Sequence, residues 1–534
     1  MRILTCSEAD EAANGPESSP QILMQRAGYA VAQFCASQFK FASVCVVCGR
    51  GKKGGTGLVA AAALQRIVET VAVIILASAA DELSADIAAC LSGDVKPIWI
   101  AEEADLAGAA AQQALGADLV IDAVVGTGFK PPLRGLAAAA VAAINDAAGM
   151  IVAVDVPSGI DGDSRTPLHA TAGNMVFPHG VIALIAPKPA HVFARLTEGP
   201  IAVNEIGVQP AFVPGASAIE VLTGRDVGMT FPPVTGGDRD IRFGHVLVVA
   251  GASGTAGVAA LAGLAALSSG AGRVTVACPK SIEATVSSFS AALTTYGLPE
   301  TAEGAIAATA GDRVDALVAG KDVVVLGPGL SPDVETKAFI RRLAKECALP
   351  LVVEGDGLYA FAGCDHEIAR EEAPPRVLLL DPEQAARLTG VAAANVAAET
   401  LEAVRLASRA TGACVVLKGG RTVVTGTADE VWINMSGNAA LAKAGMDAVL
   451  AGIIGAALAR HCGDRSTAGR RLHHRLLDDL HVAAAVHLHG LAADIARDAL
   501  HENTISATDL LDALVEAFRD CDLQVERNLF YLRK

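Results

Sequence analysis

Three glycine-rich segments in the first half of the chain have the residue types that bind a phosphate-bearing ligand. They read GRGKKGGTG (49–57), DAVVGTG (122–128) and VDVPSGIDG (154–162). Backbone N–H groups in such loops bind phosphate oxygens without a basic surface, and Asp122, Asp155 and Ser158 add side-chain oxygens. Any one loop could be an ordinary turn. The series favours a shared site, because ligands of open α/β sheets bind where strands end.

The elements that would position these loops alternate regularly along the chain. An apolar strand-like run at Ser43–Cys48 is followed by a glycine loop and an Ala-rich helical stretch. The same order of elements begins again at residues 245–251. Further strand-like and helical runs follow each opening, which predicts βαβ units and mainly parallel sheets. Residues 209–240 are rich in Pro, Gly and polar side chains, which favours a linker. We predict two domains, residues 1–215 and 241–534, joined by a linker at 216–240.

Composition limits the partners of the protein. The chain has 534 residues, a formal net charge of −16 and only 4% aromatic residues, which argues against a nucleic-acid partner. Residues 246–272 carry no formal charge but read as a strand, a Gly turn and a helix rather than a membrane span. The first residues, MRILTCSEADEAANG, do not follow the pattern of a signal peptide. We expect a cytoplasmic protein without a membrane partner.

Neither the 11 cysteines nor the 12 histidines give a strong redox or metal signal. Cys45 and Cys48 have the spacing of a redox motif, but alternation puts them on opposite faces of an apolar strand. We therefore expect buried structural cysteines. A late group of histidines is interleaved with Arg and Leu, so exposed or capping roles are favoured over a metal site. This group comprises His473, His474, His481, His487 and His489.

The first half carries a series of segments found in one enzyme family. In order they are LMQRAG (23–28), VVCGRGKKGGTGLVAA (46–61), VIDAVVGTGF (120–129), VDVPSGIDGD (154–163), APKP (186–189) and GPIAVNEIGV (199–208). On these residues it resembles the NAD(P)HX epimerase domain of the bifunctional NAD(P)H-hydrate repair enzymes. The resemblance implies that Asp155 contacts substrate, that Lys188 joins it in catalysis, and that Asp122 and Ser158 hold a potassium ion. It also implies that the glycine loops bind the hydrated dinucleotide through Lys52, Lys53, Gly54, Gly55, Thr56, Gly126, Thr127 and Gly128.

The first loop departs from the family pattern. The family usually reads N-N-G-G-D-G there, whereas this chain reads K-K-G-G-T-G at 52–57, so Lys53 replaces an Asn that would bind potassium. We hypothesise that the Lys53 ammonium takes the place of the ion and pairs with Asp122, because it is a compact point charge. The site would then be independent of potassium, or inactive. In the alternative interpretation both lysines are solvated at the rim of the loop.

The second half carries a further series from the same family. It includes HVLVVAGASGTAGVAALAGLAALSSGAGRVTVACP (245–279), VVLGPGL (324–330), LVVEGDGL (351–358), VVLKGGRTVV (415–424) and GNAALAKAG (437–445). These segments resemble the ADP- or ATP-dependent NAD(P)HX dehydratase of the ribokinase-like superfamily. The resemblance implies that Gly327 and Gly329 approach substrate, and that Mg²⁺ assists a phosphoryl transfer. The implied nucleotide site comprises Lys418, Gly419, Gly420, Arg421 and Thr422.

The catalytic positions of this half also depart from the family. Alignment puts Asp447 on a glycine that would hold the phosphate and Ala448 on the Asp that would act as base. Asp381 stands in an eroded substrate segment, and Glu354-Gly355-Asp356 keeps only the second Asp of a D-A-D segment. Asp447 stands one residue before the expected catalytic position, and it could still reach the ligands from there, contacting the nucleotide and acting as the catalyst. The half could instead only bind its ligands, or act on a changed substrate.

The alternation predicts an N-terminal Rossmann-like domain with a mainly parallel sheet and a second α/β domain, and the resemblance implies that the C-terminal domain is a ribokinase-like α/β/α sandwich. The resemblance implies epimerisation of R- and S-NAD(P)HX and nucleotide-dependent dehydration of S-NAD(P)HX to NAD(P)H. The co-substrate would be ADP or ATP with Mg²⁺, and K⁺ could be replaced by Lys53. The alternatives are a catalytically degenerate nucleotide- or dinucleotide-binding protein and a ribokinase-like small-molecule kinase. The partners expected are NADHX and NADPHX, in a homo-oligomer.

Overall fold

The chain folds into two compact α/β units. In this computed structural model, unit 1 comprises Met1–Ser217 and Gln524–Lys534, and unit 2 comprises Ala218–Leu523. The structure describes all residues except 15–18, 92–95, 166–173, 209–218, 233–242, 362–373, 427–429, 464–473 and 534. Each unit has a mostly parallel sheet with helices, so the predicted fold class is confirmed.

Unit 1 is built on a sheet with the strand order β18-β7-β6-β5-β4-β1-β2-β3 in the described residues. Its strands are β1 Ser43–Cys48, β2 Thr70–Ile75, β3 Ile98–Trp99, β4 Leu119–Ala123, β5 Met150–Val154, β6 Gly180–Leu184, β7 Ile201–Asn204 and β18 Phe530–Arg533. Its helices are α1 Cys6–Ala13, α2 Pro20–Gln38, α3 Lys52–Leu64, α4 Ala85–Ala88, α5 Ala109–Leu115, α6 Gly135–Asn145 and α7 Pro189–Phe193. All neighbouring strands are parallel except β18, which is antiparallel to β7.

The two faces of this sheet are covered by separate apolar layers. Cys48 of β1 packs in one layer and Cys45 of the same strand packs in the other. Both side chains are fully buried, and both thiols are free. The prediction of buried structural cysteines on opposite strand faces is therefore confirmed.

Unit 2 is built on a second sheet with the order β11-β10-β9-β12-β13-β14-β15-β16-β17-β8 in the described residues. Its strands are β8 Ile219–Val221, β9 His245–Val249, β10 Arg273–Pro279, β11 Thr294–Leu298, β12 Val323–Leu326, β13 Leu351–Val353, β14 Arg376–Leu380, β15 Cys414–Leu417, β16 Thr422–Thr425 and β17 Val431–Asn434. Its helices are α8 Gly224–Thr230, α9 Ala256–Ser268, α10 Glu283–Ser288, α11 Gly311–Val318, α12 Val334–Glu346, α13 Asp356–Tyr359, α14 Pro382–Thr389, α15 Ala393–Ala398, α16 Thr400–Thr411, α17 Met446–Gly463, α18 His474–Ala499 and α19 Ala507–Arg527. Among the strands that the structure describes in this unit, only β16 runs antiparallel to its neighbours.

The uncharged stretch 246–272 is a strand, a turn and a helix, as predicted. β9 lies inside the sheet between β10 and β12, and α9 packs against α17 in the alanine-rich core of unit 2. None of the helices in the described part of the chain is long and apolar enough to cross a membrane.

The predicted domain boundaries are wrong at both ends of the second domain. The supposed linker 216–240 contains β8, which pairs with β17, and α8, which packs against α18. The end of the chain belongs to unit 1, because β18 pairs with β7. Hydrogen bonding along a sheet edge and burial of a helix face outweigh the Pro- and Gly-rich composition that suggested a linker.

Exposed or capping roles were predicted for the late histidines, and this prediction is wrong for His487 and His489. His487 and His489 are buried, and burial lowers the pKa of each to about 4 despite nearby carboxylates. His489 Nε2 lies 3.1 Å from the backbone oxygen of Met446, and His481 packs against the ring of His461. His473 lies outside the described residues, and only the backbone of His474 is described. Within the described residues no cluster of metal-binding side chains is present.

The terminal strand gives a stability prediction. Phe530 of β18 is 1% exposed, and Phe530→Ala should lower the free energy of unfolding of unit 1 by about 3–5 kcal/mol, because it removes a buried ring and leaves a cavity. Urea denaturation followed by circular dichroism measures this change. Phe177→Ala is the control, since Phe177 is 52% exposed and its loss should change stability by only about 0.5 kcal/mol. Equal effects of the two substitutions would contradict the placement of β18.

Candidate active sites

Unit 1 has a cavity of about 570 Å³ where its central parallel strands end. The loops after β1, β4, β5 and β6 contribute to the wall, together with α1 and α2. Predicted site residues that line it are Lys52, Lys53, Thr56, Gly126, Thr127, Gly128, Asp155 and Lys188. The structure therefore brings most of the predicted epimerase residues to one cavity.

Gly54 and Gly55 are not among the lining residues, although they were predicted to bind substrate. A Cβ on Gly54 would lie 1.8 Å from the backbone oxygen of Gly49, and one on Gly55 would lie 2.4 Å from Met24 Sδ. Gly54 lets the first turn of α3 approach the loop after β1 closely, and Gly55 lets the same turn pack against Met24 of α2. That approach places Lys53, at the second position of the helix, over the end of β4.

The Lys53 ammonium lies in a buried cage of oxygens. Its Nζ donates to the Val156 carbonyl at 2.8 Å, to Ser158 Oγ at 3.1 Å and to Asp122 Oδ2 at 3.2 Å. Ser158 also donates to Asp122, through its hydroxyl at 2.5 Å and its backbone N–H at 2.8 Å. Burial lowers the pKa of Lys53 below its ordinary value, and the Asp122 carboxylate opposes that shift.

This geometry separates the two lysines of the loop. Lys53 is 8% exposed and pairs with Asp122, as hypothesised, whereas Lys52 is exposed at the rim. The side-chain oxygens that a potassium ion would need, on Asp122 and Ser158, are both within hydrogen-bonding distance of Lys53 Nζ. The residues present therefore do not fit a potassium ion at this position.

A second ion pair lines the same cavity. Lys188 Nζ donates to Asp155 Oδ1 at 2.6 Å and to the Leu184 carbonyl at 2.7 Å. Asp155 has a φ of 60°, an unusual backbone conformation for a residue with a side chain. Burial alone would raise the pKa of Asp155, but the charge and hydrogen bond of Lys188 and the hydrogen bond from the Leu184 N–H lower it below its ordinary value.

His191 joins this pair, and the sequence analysis missed it. Its Nδ1 accepts a hydrogen bond from the Lys188 N–H at 2.8 Å, so its Nε2 carries the proton and donates to the Asp155 carbonyl at 2.6 Å. Burial lowers the pKa of His191 to about 4, so the ring is neutral near pH 7. The spacing was an available signal, because residues three apart meet at the first turn of a helix. His191 fixes the backbones of both Asp155 and Lys188.

Unit 2 collects its predicted residues at the carboxyl edge of its sheet. β12, β13, β14 and β15 are consecutive neighbours, and they end directly before Gly327, Glu354, Asp381 and Lys418. A Cβ on Gly327, whose φ is 128°, would lie 1.8 Å from the Glu354 carbonyl oxygen. Only glycine therefore lets the loops after β12 and β13 pack together.

Lys418 makes the ion pair of this edge. Its Nζ donates to Asp447 Oδ2 at 2.6 Å, and Asp447 lies in the first turn of α17. Ala448 is 2% exposed and packs in the core. Of these two positions, Asp447 is therefore the one that faces the site.

The remaining predicted residues of unit 2 are dispersed around this edge. Gly419, Gly420 and Arg421 form the turn from β15 into β16, and Thr422 begins β16. The Gly329 carbonyl accepts a hydrogen bond from Thr255 Oγ1 at 2.7 Å. Asp381 caps α14, because its Oδ1 accepts the Gln384 N–H at 2.7 Å. Among the described residues, no hydrogen bond or ion pair joins the Asp381 side chain to Lys418 or Asp447.

Glu354 also lies at this edge, and it was not predicted to be a site residue from the sequence. Its side chain is 7% exposed. Burial and the charges of Asp447 and Asp356 raise the pKa of Glu354 to about 7, and Lys418 opposes them. The sequence showed only that Glu replaces an Asp of a family segment, which does not reveal burial.

Comparisons with known proteins assign both units to one family. A family model described as NAD(P)H-hydrate dehydratase matches residues 246–516, and one described as YjeF-related protein N-terminus matches residues 20–190. The bifunctional NAD(P)H-hydrate repair enzyme of Moorella thermoacetica is 32% identical, covering 98% of this chain and 98% of its own. That of Thermofilum pendens is 32% identical over 95% of this chain and 94% of its own. That of Escherichia coli is 28% identical over 92% of this chain and 88% of its own.

The similarity thus extends through both sites and nearly the full length of the relatives, and this chain belongs to the family of bifunctional NAD(P)H-hydrate repair enzymes.

Proposed function

We propose that this chain repairs hydrated NADH and NADPH. Unit 1 interconverts the R and S epimers of the hydrate, and unit 2 uses ADP or ATP to return the S hydrate to NAD(P)H. The observation that carries the proposal is a separate set of charged groups at the carboxyl edge of each sheet, in a chain that matches bifunctional relatives from end to end. A purely binding protein and a small-molecule kinase are not favoured, because the similarity covers both halves of these relatives.

In unit 1, Asp155 and Lys188 are the groups that move protons. Epimerisation requires the bond to the hydroxyl at the hydrated ring carbon to break and to form again on the other face, with a proton supplied and then removed. A carboxylate and an ammonium in contact at 2.6 Å can exchange that proton with substrate. His191 holds both groups in place, while Lys53 and Asp122 fix the loop beneath them.

In unit 2, Lys418 is the cation that binds the nucleotide phosphates, and the turn Gly419–Thr422 lies beside it. Transfer of the terminal phosphoryl group to the hydroxyl of the hydrate turns a poor leaving group into a good one. Loss of phosphate then restores the reduced ring. Mg²⁺ supplies charge neutralisation, and it is bound largely by the phosphates themselves in such reactions.

The test of the whole proposal uses the full chain and both purified hydrate epimers. Without nucleotide, chromatography should show the epimers interconverting. With ADP or ATP and Mg²⁺, the absorbance of reduced nicotinamide should return and the S epimer should disappear first. Epimerisation without dehydration would restrict the function to unit 1, and neither reaction would contradict the proposal.

The buried ammonium predicts independence from potassium. The rate of epimerisation should stay constant across a potassium titration at fixed ionic strength, because Lys53 already occupies the oxygen cage. Lys53→Met should destabilise unit 1 by about 3–5 kcal/mol, since it leaves the buried Asp122 charge without its partner. Lys40→Met is the control, because Lys40 is exposed. A clear stimulation of the wild type by potassium would refute the assignment of Lys53.

The second ion pair predicts a competition at the nucleotide site. A phosphate that binds Lys418 must displace the carboxylate of Asp447, whose side chain is 45% exposed. Asp447→Asn should therefore tighten binding of Mg-ADP by about threefold to tenfold, in line with the modest strength of an exposed pair. Isothermal titration calorimetry measures this change, with Asp512→Asn at an exposed position as control. Unchanged or weaker binding would exclude the competition.

A further inference from the structure

We propose that Glu354 accepts the proton of the substrate hydroxyl in unit 2. This inference rests on the dehydration function proposed above and adds a residue to it. Two features of the site carry it: the position of Glu354 on the sheet edge, and the absence of any donor to its carboxylate among the described residues.

Glu354 lies at the centre of the site edge. It follows β13, which is flanked by β12 on one side and by β14 on the other. The glycine loop after β12 packs directly on its backbone, and the Glu354 N–H donates to the Leu326 carbonyl at 3.0 Å. Lys418, the proposed phosphate cation, lies close enough for its charge to act on that of Glu354. A substrate held against these loops would therefore meet Glu354.

The other carboxylates of this edge are already engaged. Asp447 accepts from Lys418 at 2.6 Å, Asp381 accepts from the Gln384 N–H at 2.7 Å, and Asp356 accepts from the Ser331 N–H at 3.0 Å. By contrast, no hydrogen bond or ion pair to the Glu354 carboxylate is present in the described part of the chain. The Glu354 oxygens are not among the described buried side-chain atoms that lack a partner, so they keep contact with the open site. The hydroxyl of the hydrate could therefore reach this carboxylate and donate a hydrogen bond to it.

The surroundings of Glu354 also suit proton transfer. Burial first, and then the charges of Asp447 and Asp356, raise the pKa of Glu354 to about 7. A base works best when its pKa lies near the operating pH, because it is then both ionised and basic enough to take the proton. The wild-type rate should rise with pH through about 7, since the carboxylate form is the base.

The step balances without a further reactant. The hydroxyl proton passes to the Glu354 carboxylate while the hydroxyl oxygen forms a bond to the terminal phosphorus of the nucleotide. The bond from that phosphorus to the bridging oxygen breaks, and the electron pair leaves with ADP from ATP, or AMP from ADP. Phosphate then leaves the ring with the electrons of its C–O bond, assisted by the ring-nitrogen lone pair. Loss of a proton from the adjacent ring carbon to water re-forms the double bond. Glu354 returns its proton to water.

The test compares Glu354→Gln with wild type in the full chain. We expect dehydration with ATP and Mg²⁺ to fall by about 10²–10⁴-fold, with loss of the rise through pH 7. Epimerisation without nucleotide and the affinity for Mg-ADP should remain near wild type, which shows that both units are folded. Glu516→Gln, a surface glutamate with a 57% exposed side chain, is the matched control. Glu354→Asp should keep a pH-dependent rate that is lower than the wild-type rate.

The outcomes separate this inference from the function on which it rests. If wild type dehydrates the hydrate and Glu354→Gln does so within about threefold, with the same pH profile, the inference is overturned and the function stands. If wild type recovers no reduced cofactor with either nucleotide, the proposed function fails and the base role fails with it. Infrared difference spectra across pH provide a readout that does not require turnover. A carboxyl band that titrates near pH 7 should be lost in Glu354→Gln, and its persistence would contradict the assignment.

Discussion

Charges that leave water must meet opposite charges, and this requirement organises both sites. At the edge of the unit 1 sheet, Lys53 faces Asp122 and Lys188 faces Asp155, and all of these side chains except Asp155 are nearly fully buried. An unpaired charge at such depth would cost several kcal/mol. The loops that carry these residues must therefore keep their relative positions. The glycines that let the first turn of α3 pack closely meet that same constraint.

Much of this arrangement could be predicted from the sequence, because the carboxyl ends of parallel strands lie at the same edge of a sheet. Lys53 follows β1 and Asp122 lies one residue before the end of β4, and the two strands are neighbours. Loop position thus brought Asp122 and Asp155 to one predicted site. The pairing of Lys53 with Asp122 and the assignment of Lys418 came from the family resemblance. The family resemblance supplied the roles, which composition and periodicity could not give.

What could not be predicted depended on burial and on contacts far apart in sequence. His487 and His489 looked exposed because charged residues stand nearby in sequence, yet α18 turns them inward against α17 and the loop before it. β18 is a four-residue strand at the end of the chain, and only its pairing with β7 defines it. Gly54 and Gly55 were assigned to substrate because loop glycines often bind phosphate, but here their missing side chains serve packing.

The two sites solve the problem of proton transfer in different ways. In unit 1 the carboxylate of Asp155 is stabilised by a contacting ammonium, and a neutral histidine fixes its backbone, so its protonation is settled before substrate arrives. In unit 2 the ammonium of Lys418 is taken by Asp447, and Glu354 is left buried beside that pair without a donor. Lys418 can contact only one carboxylate closely at a time. Because it contacts Asp447, it does not pair with Glu354, and the pKa of Glu354 stays above its ordinary value. Displacement of Asp447 by a phosphate would leave a phosphate charge in its place. The environment of Glu354 therefore remains anionic throughout, which favours a carboxylate that takes up a proton over one that stays ionised.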